Sequence, residues 1–467
     1  SGLQSLDCRL ASTAAYGKPD YWHTDDLYFF GERLLGGVLG PNTEMFNLFP
    51  LGWPDYEIEV DGERFHPTQL EGQVKQWRRV TDFARAKVAT TLELKSGVAL
   101  TITVFAPQQG QSVYARFSLV SIDGQPHRAR LWPRLNVHLR DRSGGAPILD
   151  EVKTQETGDR WALLTGRALT TGATKAYEEY QLAYGLACAE DCRPSASASK
   201  LELELRLEVT TMPVSRDVVF FVGNPNFGEV TPEAVQTAFK PLFESGFDGL
   251  LATHLADWAS YWRQTGEVHV GDALRELMWT SSLYLFRCGT SFETGMPLQF
   301  LMFHPECWGG GTFWDLDFAA DGLIATGQLA PVRRVIAWLA QVAAPEGRTF
   351  HWITRHDGTQ GMNPKWGDSG FMVNASHAMT AIRYYETTND EAFLASTIYP
   401  LLHKVTTYLA AEKFVKEGDH YIGGTAGLDA NQVEESNETY STAWFAVILT
   451  KTAEYAEQLG QIGRAHV

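Results

Sequence analysis

The chain has 467 residues, 44% hydrophobic, 12% aromatic and 20% charged, with a mean hydropathy of -0.20. That length exceeds what one hydrophobic core usually holds, so two domains or one unusually broad domain are expected, and no apolar run is long enough to span a bilayer. Lysine plus arginine (39) against aspartate plus glutamate (56) leaves a net charge of -17; this field repels phosphate backbones and anionic lipid, which disfavours nucleic acid and membrane as partners and favours a neutral one.

The chain begins at Ser1 with no basic-then-apolar leader behind it, so the compartment, cytoplasmic or periplasmic, is not legible and only a soluble protein is expected. From there to residue 228 the signals are those of strands: Tyr56–Val60, Ala99–Ala106, Ser112–Ser121, Leu131–Leu139, Trp161–Thr165, Tyr180–Cys188 and Val218–Val222. The clearest is KLELELRLEV at 200–209, where Leu201, Leu203, Leu205, Leu207 and Val209 alternate with polar residues, the pattern of a half-buried antiparallel strand. Asp61-Gly62 is a hairpin turn. So many strands at turn-separated intervals predict a large antiparallel sandwich over 1–228, with no nucleotide-binding glycine motif. Cys188 and Cys192 either close a small disulfide loop or remain two thiols at a loop edge.

The period changes after Gly228. Thr231-Pro232-Glu233 supplies an N-cap, a first-position proline and a first-turn acid, opening a helix to about Phe243. A second helix, Gly249–Gln264, places Leu251, Leu255, Trp258 and Trp262 on one face. Together, 229–270 read as a helical linker. Beyond Val270 six helices follow without a strand: Ala273–Cys288, Asp315–Thr326, Pro331–Ala343, Phe371–Thr387, Asp390–Lys413 and Thr439–Leu459. Pro400 is expected to kink or divide the fifth. Their Gly/Pro-rich connections are long, and such loops tend to carry function.

The densest such segment is CWGGGTFWDLDFAADG, 307–322. A pyranose needs flat apolar surface for its C–H face and charged acceptors for its hydroxyls, and Trp beside Asp provides both. Trp314 and Asp315 are the leading pair and Trp308 a further candidate; Asp317 and Asp321 read as helix residues. Trp366 and Asp368 in KWGDSG repeat the combination, and Trp352 in FHWIT is a candidate second stacking surface. His377 reads as a core histidine. His304, His351 and His356 have no ligand spacing, so no metal site is expected, and Ser369 lies in no nucleophile elbow.

Phe313-Trp314-Asp315, after Gly-rich sequence and before Asp317, resembles the FWD-x-E motif of glycoside hydrolase family 65, the kojibiose, maltose and trehalose phosphorylases and related hydrolases of the six-hairpin glycosidase superfamily. Val60 to Phe65, Trp77 to Asp82, the strand from Lys87, His254 to Trp262 and Ala273-Leu274-Arg275 are similar to that family in order and spacing, over about residues 30–455. The resemblance implies an N-terminal β super-sandwich, a helical linker and an (α/α)6 barrel whose mouth holds the active site, with Trp314 and Asp315 around the attacked sugar ring. It implies an inverting α-glucosidic hydrolase or phosphorylase acting on a neutral oligosaccharide without metal or organic cofactor, with inorganic phosphate as co-substrate in the second case; a homodimer is left open.

The family's general acid is a Glu in a pattern near G-P-D-E-Y-H. Here Gly427, Asp429, Asn437 and Tyr440 match, but Ala430 occupies the acid's place, and alanine cannot protonate a leaving oxygen. Glu434 or Glu435 presented by a shifted loop, or Asp429 itself, is the candidate acid. Otherwise the chain is a non-catalytic carbohydrate-binding relative; a different (α/α)6 glycosidase or a polysaccharide lyase is the further rival. An inverting hydrolase sets its base about 6.5–9.5 Å from the acid, while phosphorylases put phosphate there. In the resembled family both lie C-terminal to the acid motif. Residues 271–460 thus read as the first half of a barrel, and Ile462 to Val467 reads like adapter translation, so 461–467 is expected to be non-native with the gene continuing past Gly460.

Overall fold

The computed structural model describes residues 53–66, 72–107, 111–137, 151–168, 180–223, 230–266, 268–289, 311–312, 314–343, 349–350, 354–355, 370–412, 414–423, 426–428, 433–435 and 439–461. The strands of its N-terminal part are β1 (Trp53–Val60), β2 (Glu63–Phe65), β3 (Val74–Asp82), β4 (Lys87–Leu94), β5 (Val98–Phe105), β6 (Ser112–Ser121), β7 (Ala129–Asn136), β8 (Glu151–Thr157), β9 (Trp161–Ala168), β10 (Tyr180–Cys188), β11 (Arg193–Ser197), β12 (Glu202–Val209) and β13 (Val214–Gly223). They form a five-stranded sheet, β11-β12-β7-β1-β2, and an eight-stranded sheet, β3-β4-β5-β6-β13-β10-β9-β8.

The alternation in β12 sends Leu203, Leu205, Leu207 and Val209 into one core, where they share a cluster with Phe117, Tyr184, Leu186 and Phe220 of the larger sheet. Asp61 and Gly62, with φ of 50° and 90°, turn β1 into β2 in the two-residue geometry whose twist suits a hairpin. The same turn is held from outside. His127 lies between two carboxylates, Nδ1 2.6 Å from Asp61 Oδ2 and Nε2 2.9 Å from Asp123 Oδ1. Cys188 and Cys192 are free thiols, and the Cys188 thiol donates to Glu190 Oε2 at 3.2 Å, so the disulfide alternative is not the one formed.

The outer face of the larger sheet is covered by α1 (Pro232–Gln264). Val235, Phe239, Leu242 and Phe247 pack on Phe105, Tyr114, Leu163, Val219 and Phe221. Gly185 of β10 permits the approach, since a Cβ there would lie 2.5 Å from Val235 Cγ1 and 2.6 Å from Phe239 Cζ. Thr231 caps α1 by accepting from the Ala234 amide at 3.2 Å. Gly246, at φ 63° and ψ 173°, breaks the run into two helices, as the sequence predicts. The predicted apolar face of the second half is rotated, however. His254, Trp258 and Tyr261 are buried there, while Leu251, Leu255 and Trp262 are only half-buried. The polar tips of the aromatic residues explain the difference: the His254 ring contacts the Arg85 and Ala86 carbonyls at 3.1 and 3.0 Å, Trp262 Nε1 donates to the Ala84 carbonyl at 2.8 Å and the Tyr261 hydroxyl to that of Leu283 at 2.8 Å. Backbone carbonyls at the β3–β4 turn thus fix the helix's rotation.

The remainder is mainly helical: α2 (Ala273–Gly289), α3 (Leu316–Ala325), α4 (Leu329–Val342), α5 (Gly370–Thr388), α6 (Glu391–Phe393), α7 (Tyr399–Glu412) and α8 (Thr439–Gln458). Its core joins Leu316 and Leu323 of α3, Val335, Ile336 and Leu339 of α4, Val373, Ala378 and Ile382 of α5, and apolar residues of α7 and α8. The helices do not follow one another without a strand. Short pairs intervene: β14 (Gly311–Thr312) with β15 (Thr354–Arg355), β16 (Phe414–Glu417) with β17 (His420–Gly423), and β18 (Ala426–Leu428) with β19 (Val433–Glu435). Strands this short complete too little alternation to register as a period. The predicted fifth helix is divided ahead of Pro400, by a π turn at Leu394–Ile398. A proline ring crowds the carbonyl four residues back, here that of Ser396, and the wider turn accommodates it. Among the described residues no helix is long and apolar enough to cross a membrane.

Candidate functional site

Trp314 and Asp315 form the turn that opens α3. Asp315 occupies the N-cap position with φ -70° and ψ -6°, yet its side chain makes no capping hydrogen bond. An aspartate at this position ordinarily satisfies an orphan amide of the first turn. Asp315 instead turns inward, is 6% exposed, and its Oδ1 is buried without a hydrogen-bond partner. Burial pushes its pKa up to about 7, against the pull of its own backbone amide. Leaving such an oxygen unpaired costs about 1–3 kcal/mol, more when it is charged, and an unsatisfied buried group of this kind calls for a partner or a task.

Trp314 is fixed from both sides. Its ring meets Phe318 edge-on at 5.3 Å, and its carbonyl accepts from the Ser376 hydroxyl of α5 at 2.5 Å. The other acids of the motif have structural work, as the sequence reading expects. Arg383 Nη1, also on α5, donates to Asp317 Oδ1 at 2.5 Å and to Asp321 Oδ1 at 3.0 Å. Asp317 is 3% exposed, and burial outweighs Arg383 to raise its pKa to about 6. His377 of α5 is fully buried beside the Phe350 ring, 4.8 Å between centroids, and burial lowers its pKa to about 3; it is a neutral core histidine, as read.

The backbone brings further predicted segments alongside. Thr312 pairs with Thr354 and Gly311 with Arg355, so the strand before Phe313-Trp314-Asp315 runs beside the strand after Trp352. Glu434 and Glu435 lie not on an irregular loop but on β19, opposite Gly427 and Ala426 of β18. β18 lies against α5, the helix that holds Trp314. Trp308, Trp352, Trp366, Asp368, Asp429 and Ala430 lie outside the described residues. The sequence reading missed α5 as the common support. Its signal was an arginine and a serine, Arg383 and Ser376, on a helix that also carries Val373, Ala375, Ala378, Ala381 and Ile382, where a buried donor needs an acceptor on a neighbour.

No protein-family model matches the sequence, and a search of curated proteins finds no match. Solved structures do match. A protein described as a kojibiose phosphorylase from the human microbiome superposes with a TM-score of 0.70 at 12% identity, over 94% of this chain and 63% of that one. A bacterial glucoamylase complexed with acarbose superposes with a TM-score of 0.51 at 11% identity, over 92% of this chain and 63% of its own. The chain thus spans a little under two thirds of the length of each. What the two likenesses establish is the fold alone, an antiparallel β domain followed by a helical region, shared with these two structures.

Proposed function

We propose that the chain is part of a glycosidase or glycoside phosphorylase of the family 65 type, acting on a neutral α-glucosidic di- or oligosaccharide by inversion. The observation that carries the reading is the partnerless buried oxygen of Asp315 next to Trp314, in a chain with the fold of a kojibiose phosphorylase and a glucoamylase. A sugar hydroxyl is the donor this carboxyl lacks, and a hydrogen bond to a charged group contributes about 1.5–3 kcal/mol. Trp314 offers the apolar surface for the ring's C–H face.

In this reading 1–228 is the sandwich domain, 229–270 the linker and 271–460 the first half of an (α/α)6 barrel. Trp308, Trp352, Trp366 and Asp368 extend the sugar site. Glu434 or Glu435, on the hairpin beside α5, is the general acid, with Asp429 the alternative; its carboxylic proton goes to the glycosidic oxygen as the bond to the anomeric carbon breaks. The attacking group enters from the opposite face, as water in a hydrolase or inorganic phosphate in a phosphorylase. No metal or organic cofactor is assigned to these steps, and the partner is the sugar itself.

The test is an assay of kojibiose, maltose and trehalose with and without phosphate, for the protein encoded by the full-length gene and for its Asp315→Asn, Glu434→Gln and Glu435→Gln variants. Free sugar released without phosphate identifies a hydrolase, and release only with phosphate a phosphorylase. Activity unchanged in Asp315→Asn would overturn the site. The second reading, a binding protein without catalysis, rests on Ala430; it predicts sugar binding that Asp315→Asn abolishes and no turnover in any variant.

A further inference from the structure

A cavity of about 740 Å³ opens at the seam where the larger sheet, α1 and the first helices of the helical region meet. Ligand cavities have volumes of roughly 300–1,000 Å³ and gather at such seams. Tyr114 of β6 and Phe221 of β13 form an apolar wall, Ser260 and Gln264 of α1 a polar one, and Gln328, in the turn between α3 and α4, part of a third. Asp315 is not among the lining residues. It stands at the opposite end of α3, whose 10 residues span about 15 Å.

Gln328 is the built feature of this cavity. It is 5% exposed, its amide Nε2 has no hydrogen-bond partner, and although it occupies the N-cap position of α4 its side chain does not cap. The turn that carries it is fixed. The Gln328 backbone N–H donates to the Leu323 carbonyl at 2.7 Å, and Gly327, at φ 74°, sits so close to the end of α1 that a Cβ would lie 3.2 Å from the Gln264 carbonyl oxygen. A terminal amide turns about a broad torsion, and that rotation brings Nε2, the end without a partner, to a ligand in the cavity.

The charges in the walls are committed. Arg287 donates to the Asp257 carboxylate and, at 3.3 Å, to the Asp257 carbonyl, and its guanidinium lies over the rings of Trp258 and Tyr261 at 4.3 and 4.5 Å. Arg334 is engaged as well. The Tyr261 hydroxyl is bonded to Leu283. Beside Gln328 Nε2, the lining holds two further buried nitrogens that make no hydrogen bond, His254 Nδ1 and Arg334 Nε; hydroxyls both donate and accept, so over this apolar wall the complement is an uncharged polyhydroxylated molecule.

We infer that this seam is an accessory binding site for a neutral short oligosaccharide, held by the Gln328 amide and Ser260 against the Tyr114–Phe221 wall and independent of Asp315. The inference requires no catalysis.

The test uses maltotriose, titrated calorimetrically into the native chain, Asp315→Ala, and Asp315→Ala combined with Gln328→Leu or with Ser260→Trp, each checked for folding by circular dichroism. Ser260 is half-buried on α1 and lines the cavity from the α1 side, so Ser260→Trp obstructs it by a change that leaves the Gln328 side chain in place. The expected result is one maltotriose bound per Asp315→Ala chain, weakened at least tenfold by Gln328→Leu and abolished by Ser260→Trp. Absence of binding to Asp315→Ala overturns the inference, and so does unchanged affinity in either folded double variant. If Asp315→Ala binds as the native chain does and the double variants do not, the seam site stands and the Asp315 reading falls.

Discussion

The Ser376 hydroxyl donates to the Trp314 backbone carbonyl at 2.5 Å, so the position of the Trp314-Asp315 dipeptide is set by a helix more than fifty residues further along the chain. Replacing Ser376 with alanine removes that donor from a fully buried position. Urea unfolding is expected to show a loss of about 1–2 kcal/mol, and sugar binding is expected to weaken in the folded variant because the dipeptide loses its anchor. Unchanged stability would mean the carbonyl finds another donor.

Asp315 gives a pH signature of its own. Its pKa is raised by burial from the ordinary 3.8 to about 7, so the folded state holds a proton that the unfolded state has released. Its contribution is fully present below pH 3.8 and is lost as pH rises to about 7, at up to about 1.4 kcal/mol per pH unit. Asp315→Asn carries no such charge. Unfolding measured from pH 4 to 8 is expected to find the variant gaining on the native chain as pH rises, and a constant difference would refute the burial argument.

The same carboxyl couples ligand binding to protons. Donation from a sugar hydroxyl favours the charged form and lowers the pKa, so sugar bound at Asp315 is expected to expel a proton near pH 7. Calorimetry of maltose binding in two buffers of different ionisation enthalpy measures this directly. Asp315→Asn is expected to abolish the buffer dependence.

His127 predicts a dependence of the same sign in the sheet domain. Its pKa is raised above the ordinary 6.5, first by Asp61 and then by Asp123, so its contribution is fully present below pH 6.5 and lost as pH rises through the raised value. The two carboxyls are lowered from 3.8, chiefly by the Arg128 and Gln125 backbone amides and then by His127, so theirs is lost as pH falls below that value. His127→Gln is therefore expected to lower the melting temperature most between pH 3.8 and 6.5, with the gap closing at higher pH.

Gly185→Ala tests the seating of α1 on the sheet. The added methyl meets Val235 and Phe239 well inside contact distance, and such overpacking costs about 1–3 kcal/mol. Gly223→Ala, on the neighbouring strand, meets the edge of the Phe221 ring at 2.9 Å and Ala183 only at an ordinary 3.6 Å, and is expected to cost less in the same unfolding experiment.

Alternation made the sheet domain legible: Ser112–Ser121 and Tyr180–Cys188 match the observed strands end for end. The edge strands β8 and β11 were not legible, since their burial alternates only between half-buried and exposed and polar sequence carries little signal. At the site, Trp314 and Asp315 stood out by residue type, but the missing cap at Asp315 is a matter of side-chain direction that sequence does not encode locally. Arg383 escaped notice because its partners lie on another helix, 62 and 66 residues away. The rotated face of α1 has the same origin. Leu255 is the more apolar residue, yet His254 is the one buried, because carbonyls from the β3–β4 turn await it.

The second half of α1 is tied at successive levels to different parts of the chain, His254 and Trp262 to the β3–β4 turn and Tyr261 to α2, and its last carbonyl is closely approached by Gly327. One residue added or removed between Gly246 and His254 would swing every later anchor by about 100° and shift it by about 1.5 Å. The length of this helix is therefore as constrained as its composition, and homologous chains that keep these anchors are expected to carry no insertion there, however freely their surface residues vary.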